Sequence, residues 1–270
     1  MRNPLPAFTE HEGHAKLEPL RSPTAPGTFF RQFLAAYSQR SGRAPADITV
    51  LDVGCGRGDT VAWLCDQGWD AYGVDVNDRY LAQGRGYFGE SGDDRLRLLE
   101  DGYPFADGTF DVVLSDQVIE HVADLDAFFS EVARVSRVGG VGLHLFPARW
   151  RPVESHLLAP LVHWLPKGRA RRLALRPLLA VGLAAPYFGD RPLAERVEIF
   201  GRYSDTGTFY RALGKLKRTC SRHGLSADTA GAARDKIHSR LPGLPAVLVG
   251  AAATVYRHAF TVCLRTERVR

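Results

Sequence analysis

The sequence predicts an α/β fold with a doubly wound sheet and a helical insertion. Three observations carry this. Ile48, Val50, Leu51 and Val53 form a short apolar run, the mark of a strand buried on both faces. Gly54, Gly56 and Gly58 follow at alternate positions, where a backbone without Cβ can turn sharply and approach a ligand. An apolar-periodic helix then begins, with Asp59 or Thr60 as its cap and Val61 and Leu64 inward. Strand, glycine turn and helix in this order make a nucleotide site at the head of an α/β sheet.

The chain has 270 residues, 45% hydrophobic and 24% charged, ordinary values for a globular protein. It is long enough to bury a sizeable core without staples. The net charge of +5 is mildly basic. Cys55, Cys65, Cys220 and Cys263 are scattered without a CxxC pair, so neither a zinc site nor a disulfide framework is suggested. Reduced thiols and a cytoplasmic location are the simplest expectation. The N-terminus shows no apolar signal region, and no stretch reaches about 18 uninterrupted apolar residues.

Residues 1–27 are proline-rich and aperiodic and read as a flexible N-terminal arm. Phe29, Phe30, Phe33, Leu34 and Tyr37 recur at helical spacing. Ala71–Asp75 is a second strand ending in an acid. Asp75 follows Asp52 at the distance that places a carboxylate on the neighbouring strand end, where it accepts from both ribose hydroxyls of a nucleotide. Val76 then lies near the adenine face. Leu96–Leu99 is a third strand, followed by Glu100, Asp101 and Gly102. A turn over Pro104–Asp111 leads into a fourth strand, Val112–Ser115. Asp124 caps a helix with Leu125, Phe128, Phe129, Val132 and Val135 on one face, and Gly139–Gly140 is read as its exit. Val141–Phe146 is a fifth strand.

The spacing Asp52-x-Gly54-x-Gly56-x-Gly58 departs from the nicotinamide fingerprint, which needs its third glycine or an alanine where Asp59 stands. It resembles the first motif of class I methyltransferases that use S-adenosylmethionine (SAM). The segment PFADGTFD, Pro104–Asp111, is similar to the corresponding segment of the type 11 family of these enzymes. The resemblance covers about residues 29–147, with every motif in order. It implies a seven-stranded, Rossmann-like methyltransferase sheet with SAM as cofactor. In that pattern the glycine turn lies against the amino-acid part of SAM, and Asp52 accepts from its ammonium. An acid after the third strand accepts from the adenine amino group; Glu100 and Asp101 both stand there, and Asp101 is favoured. Cys55, Gly102 and Ser115 complete the implied cofactor set.

For acid–base work the candidates are Glu120, His121, Glu154, His156 and His163, with His121, His156 and Glu154 preferred. Gln117-Val118-Ile119-Glu120-His121 resembles the metal-binding ExxEH segment of ubiquinone-pathway O-methyltransferases and small-RNA 2′-O-methyltransferases. Gln117 replaces its first carboxylate, and a neutral amide is a weaker ligand for a hard cation, so no metal is expected. Phe146–His156 resembles a segment after the fifth strand in bacterial members linked to glycan and lipid modification, so it should face the acceptor. A structural loop with Glu154 paired to an arginine is the alternative.

Residues 148–202 are read as a helical lid and 203–270 as the rest of the core. Within 151–176, Arg151, Lys167, Arg169, Arg171, Arg172 and Arg176 stand against Glu154 alone, beside Trp164 and leucines. This suits a lipid-linked or small-molecule acceptor and peripheral contact with an inner membrane surface; a plain helical insertion with solvated arginines is the alternative. Tyr203–His223 reads as one helix with Phe209, Leu213, Leu216 and Cys220 inward and Arg211, Lys215, Arg218 and Arg222 solvated. Gly224 ends it. Residues 225–230 read as a sixth strand, Leu241–Val255 as a bent helix and Ala259–Leu264 as the last strand. No aromatic stacking array for nucleic acid is present. The function expected is methyl transfer to a small or lipid/glycan-linked acceptor, on oxygen; a non-catalytic SAM-binding regulator and a nicotinamide oxidoreductase are the alternatives. Oligomeric state is not readable.

Overall fold

The computed structural model describes residues 18–269. Seven strands form one sheet: β1 (Thr49–Val53), β2 (Asp70–Asp75), β3 (Leu96–Leu98), β4 (Phe110–Asp116), β5 (Ser136–Pro147), β6 (Leu225–Asp228) and β7 (Thr261–Arg268). Their order is β3-β2-β1-β4-β5-β7-β6. The first five run parallel; β7 is antiparallel to both β5 and β6. The order reverses between β1 and β4, the position at which doubly wound sheets bind ligands.

The central strands are apolar throughout because both faces are covered. On one face Leu51, Val53, Val113, Phe146 and Leu264 pack against α5 (Leu125–Val135) and α8 (Leu213–Arg222). On the other, Ile48, Val50, Val112, Leu114 and Leu143 meet α1 (Thr28–Ser41), α2 (Asp59–Asp66) and α3 (Asp78–Arg85). The short α4 (Gly92–Arg95) leads directly into β3. Alternation along each strand produces this division. Two further helices, α9 (Ala230–Arg240) and α10 (Ala246–Ala259), form a small core around Ala233, Ile237, Val249 and Ala253.

The insertion after β5 carries α6 (Arg169–Ala180) and α7 (Leu193–Thr206), preceded by a long hairpin-like loop. It has its own apolar core, including Leu157, Val162, Leu175, Phe200 and Tyr203. The arm expected over 1–27 is described only from residue 18. There it has no helix or strand. It is tied down: the Leu20 amide donates to the Gln83 carbonyl and the Thr24 amide to Asp59.

Several expectations need correction. Gly58, not Asp59 or Thr60, occupies the N-cap of α2, without a side-chain cap. Gly139–Gly140 does not end α5; the helix stops at Val135, where the Ser136 hydroxyl donates to the Val132 carbonyl. Both glycines lie inside β5, near a register shift against β4, and Gly139 takes φ +77°. Glycine here serves a bulge, not a cap. The span Tyr203–His223 is two helices separated by residues 207–212. The basic residues of 151–176 are not one free surface. Arg171 is buried, donating to the carbonyl and hydroxyl of Ser204, and Arg172 pairs with Glu198 and Asp205.

Candidate active site

A cavity of about 800 Å³ opens at the C-terminal ends of β1, β2 and β4. Gly54, Gly56, Asp75, Val76, Asp101, Gly102, His121 and His156 of the expected set line it. The glycine turn is built as the sequence demands. Gly54 and Gly56 both take positive φ, and the amides of Gly54 and Cys55 donate to the Val74 carbonyl, fastening the turn to β2. A Cβ on Gly54 would lie 2.4 Å from Val118, whereas one on Gly56 would meet nothing within 4 Å. Gly56 therefore presents bare backbone to the open cavity.

Asp75 is fixed by this turn. One carboxylate oxygen accepts from the Gly56 amide at 2.9 Å, the other from the Asn77 amide at 2.8 Å. Each oxygen keeps a further lone pair for a ligand. Burial raises the Asp75 pKa despite these bonds. Asp52, at the end of β1, does not line the cavity but is nearly buried behind it; burial, then Asp116 and Asp75, push it up to about 8. Three carboxylates thus converge where β1, β2 and β4 end, each held back from ionising. The loop carrying Asp101 and Gly102 is braced by the Tyr103 amide, which donates to Glu131, itself paired with Arg134.

Other expected residues lie elsewhere. Ser115 is fully buried beneath the site and bonds His144 Nδ1 at 2.8 Å. Cys55 turns its sulfur toward the sheet, where it leaves no room for a Cβ on Gly73. Gly58 sits behind the turn, against Leu96. Glu154 is buried and does not line the cavity. It accepts from the amides of His156 and Leu157 and from the Tyr210 hydroxyl, so its partner is a tyrosine rather than an arginine.

The second half of the cavity is built from the turn after β4 and the insertion. Gln117 stands at φ +56°, a strained conformation for a residue with a Cβ, and lines the wall. His121 Nδ1 lies 2.8 Å from the Gly207 carbonyl. A carbonyl only accepts, so Nδ1 carries the proton and Nε2 of the neutral ring offers its lone pair. That Nε2 is 4.0 Å from Glu120. The His121 and His156 rings meet edge to face at 4.8 Å. Glu120 is 1% exposed, and neither oxygen has a hydrogen-bond partner among the described residues. Burial drives its carboxyl up to about 8. One donor atom each from Glu120, His121 and His156 falls within 4.8 Å of the others, a set that suits a divalent cation. The third donor is His156, far along the chain, and Gln117 is outside the set. The absence of a carboxylate at 117 therefore does not decide the metal question.

Arg211 was expected in a solvated stripe. It is buried instead, donating to the carbonyls of Ile119 and Ala123 at 3.2 and 3.0 Å and to those of Val122 and Phe209. It ties the turn bearing Glu120 and His121 to the 207–212 loop. No sequence signal separates such an arginine from a surface one. Asn77 and Tyr80 also line the cavity without having been singled out, and Arg151, expected in the basic cluster of the insertion, lines it too.

Residues 51–143 match the family model of the type 11 methyltransferase domain. They form a class I SAM-dependent methyltransferase domain. An uncharacterized methyltransferase of Mycobacterium sp. (strain JLS) is 35% identical over 126 residues, 47% of this chain and 49% of that protein. A ubiquinone biosynthesis O-methyltransferase of Sinorhizobium medicae is 31% identical over 151 residues, 50% of this chain and 60% of that protein. The chain thus spans about half the length of the first curated relatives it matches. Among solved structures, PKMT2 of Rickettsia typhi has a TM-score of 0.52 at 15% identity, covering 91% of this chain and 54% of that one. A geranyl diphosphate methyltransferase in complex with GPP and sinefungin has a TM-score of 0.50 at 18%, covering 88% and 78%. These likenesses carry the methyltransferase fold. The methyltransferase turn also fits SAM on its own geometry, through the bare Gly56 backbone and the two-sided Asp75 carboxylate.

Proposed function

We propose that this chain is a SAM-dependent O-methyltransferase acting on a small or lipid-linked acceptor. The observation that carries the reading is the carboxylate cluster at the strand ends. Asp52, Asp75 and Asp116 are all raised, chiefly by burial. Such a cluster gains most from a ligand that brings positive charge, and SAM brings an ammonium and a sulfonium.

When bound, SAM supplies a methyl group on a positively charged sulfur. Gly54 and Gly56 would receive its amino-acid part, with Asp52 and Asp116 offsetting the ammonium. Asp75 would accept from the ribose hydroxyls, and Val76, Asp101 and Gly102 would hold the adenine. His121 Nε2, with its tautomer set by Gly207, would accept the proton of the acceptor hydroxyl. Glu120 lies beside the imidazolium so formed, which favours ionisation of its buried carboxyl. The oxygen target draws further support from the relatives named for O-methyl transfer in ubiquinone biosynthesis. The apolar acceptor draws support from Val118, Val122, Phe128 and Tyr203 in the wall.

A second reading is favoured by the Glu120–His121–His156 set: a divalent cation there would polarise the same hydroxyl as a Lewis acid. The test of the function is incubation of the protein with methyl-deuterated SAM and a cell extract, followed by mass spectrometry. One label on an organic-extractable product is expected, with His121→Ala reducing it by about 10²–10⁴-fold. Binding of S-adenosylhomocysteine with no labelled product in any fraction would favour the non-catalytic regulator.

A further inference from the structure

Residues 150–165 fold back on themselves and turn an apolar face outward. Val153 bridges Pro160, the Leu161 amide donates to the Pro152 carbonyl, and the Glu154 amide to the Ala159 carbonyl. The inner side is buried through Glu154, His156, Leu157, Ala159 and Val162. The outer side exposes Trp150, Val153, Leu158, Leu161, Trp164 and Leu165, each between 38% and 49%. Leu158 and Leu161 stand at φ +51° and +59°. An L-residue pays strain for that conformation, and here it points a large apolar side chain away from the core. The tryptophans pack edge to face at 5.7 Å, with Trp164 Nε1 donating to the Arg151 carbonyl. Paired indoles among leucines are the composition of a membrane–water interface.

Charge selects the occupant. From Arg149 to Arg176 the only acid is Glu154, which is buried, while Arg149, Lys167, Arg169 and Arg176 are exposed. An anionic headgroup layer complements such a rim; a second copy would set the same cations against each other. No helix among the described residues is long and apolar enough to cross a membrane. We propose that the 150–165 hairpin docks peripherally on an anionic bilayer surface, so that an apolar acceptor reaches the cavity along the same hairpin, which lines it with Arg151, Ser155 and His156. The acceptor's route rests on the function proposed above; the docking itself does not.

The test is co-sedimentation of the full chain with phosphatidylcholine vesicles with and without phosphatidylglycerol, at low and high salt. The critical variant is L158N/L161N. Asparagine tolerates the left-handed region, so the variant should melt no lower than the wild type and keep S-adenosylhomocysteine affinity. Its partition onto anionic vesicles should fall about tenfold or more, because two apolar contacts are lost. Wild-type partition should exceed that onto neutral vesicles and fall with salt. Equal partition of variant and wild type, or no partition of the wild type onto anionic vesicles, would overturn the proposal. So would wild-type self-association in sedimentation velocity that the variant abolishes, since the face would then belong to a second copy. A wild type that partitions onto anionic vesicles as described but binds no S-adenosylhomocysteine would instead count against the cofactor reading and leave the docking standing.

Discussion

Arg211→Lys separates the two halves of the cavity. The native arginine is 9% exposed, and its guanidinium donates to four backbone carbonyls, two of them at 3.2 and 3.0 Å. Lysine keeps the charge but is a point donor without the planar fork. It can serve about two of the four carbonyls from one position. Each buried acceptor left without a donor costs about 1–3 kcal/mol, so two orphaned carbonyls should lower the unfolding free energy by about 2–6 kcal/mol. The carbonyls lost belong to the turn around Glu120 and His121 and to the Phe209 loop that sets the His121 tautomer. The cofactor half is built separately, from the ends of β1 and β2. Urea unfolding should therefore show the stability loss, and turnover should fall by about tenfold or more as His121, the proposed base, is misplaced. Calorimetry should find S-adenosylhomocysteine affinity within a factor of about two. Unchanged stability and turnover, or an affinity loss as large as the loss of turnover, would refute the division of the site.

Three further outcomes are expected. Asp75→Ala should weaken S-adenosylhomocysteine by about 1.5–3 kcal/mol in calorimetry, since hydrogen bonds to a charged acceptor are lost; an unchanged Kd would move the ribose contact elsewhere. The Glu120 carboxyl, raised from 4.5 to about 8, binds a proton in the native state that the unfolded chain releases. Its contribution to stability is complete below about pH 4.5 and is lost as pH rises toward 8. Urea unfolding across that window should show this decline, and Glu120→Gln should flatten it; an equal slope in both proteins would remove Glu120 from the account. Turnover should survive chelation if His121 acts alone as base. Its loss in chelator and return with magnesium or zinc would select the metal reading.

The glycine turn and the place of Asp75 on the cavity wall were largely legible because their geometry is local. A glycine turn needs positive φ at fixed positions, and Asp75 ends a strand whose neighbour is set by short connections. The core helix α5 was legible for the same reason: its apolar face recurs, and Asp124 caps it by accepting from the amides of Asp126 and Ala127. In the other half His121 and His156 were legible one by one, but not their meeting, because that half is assembled from distant segments. Nothing near Glu120 announces that His156 will meet it, or that Gly207 will orient His121. Arg211 and Arg171 read as surface charges because a sequence does not show which carbonyls a fold leaves without donors. The break at 207–212 follows from the same tertiary bonds overriding helical periodicity. Helix α9 was missed because AGAARDKIHSR has little amphipathic contrast; it is held by packing on α10.

The central claim is that the glycine turn and Asp75 hold SAM. Titration calorimetry of the full chain with S-adenosylhomocysteine and, separately, with NAD tests it most directly. Saturable one-to-one binding of S-adenosylhomocysteine is expected, with no heat from NAD. Gly56→Val should abolish that binding, because a branched side chain would occupy the open space facing Gly56. Tight NAD binding without S-adenosylhomocysteine binding, or wild-type affinity in Gly56→Val, would contradict the account.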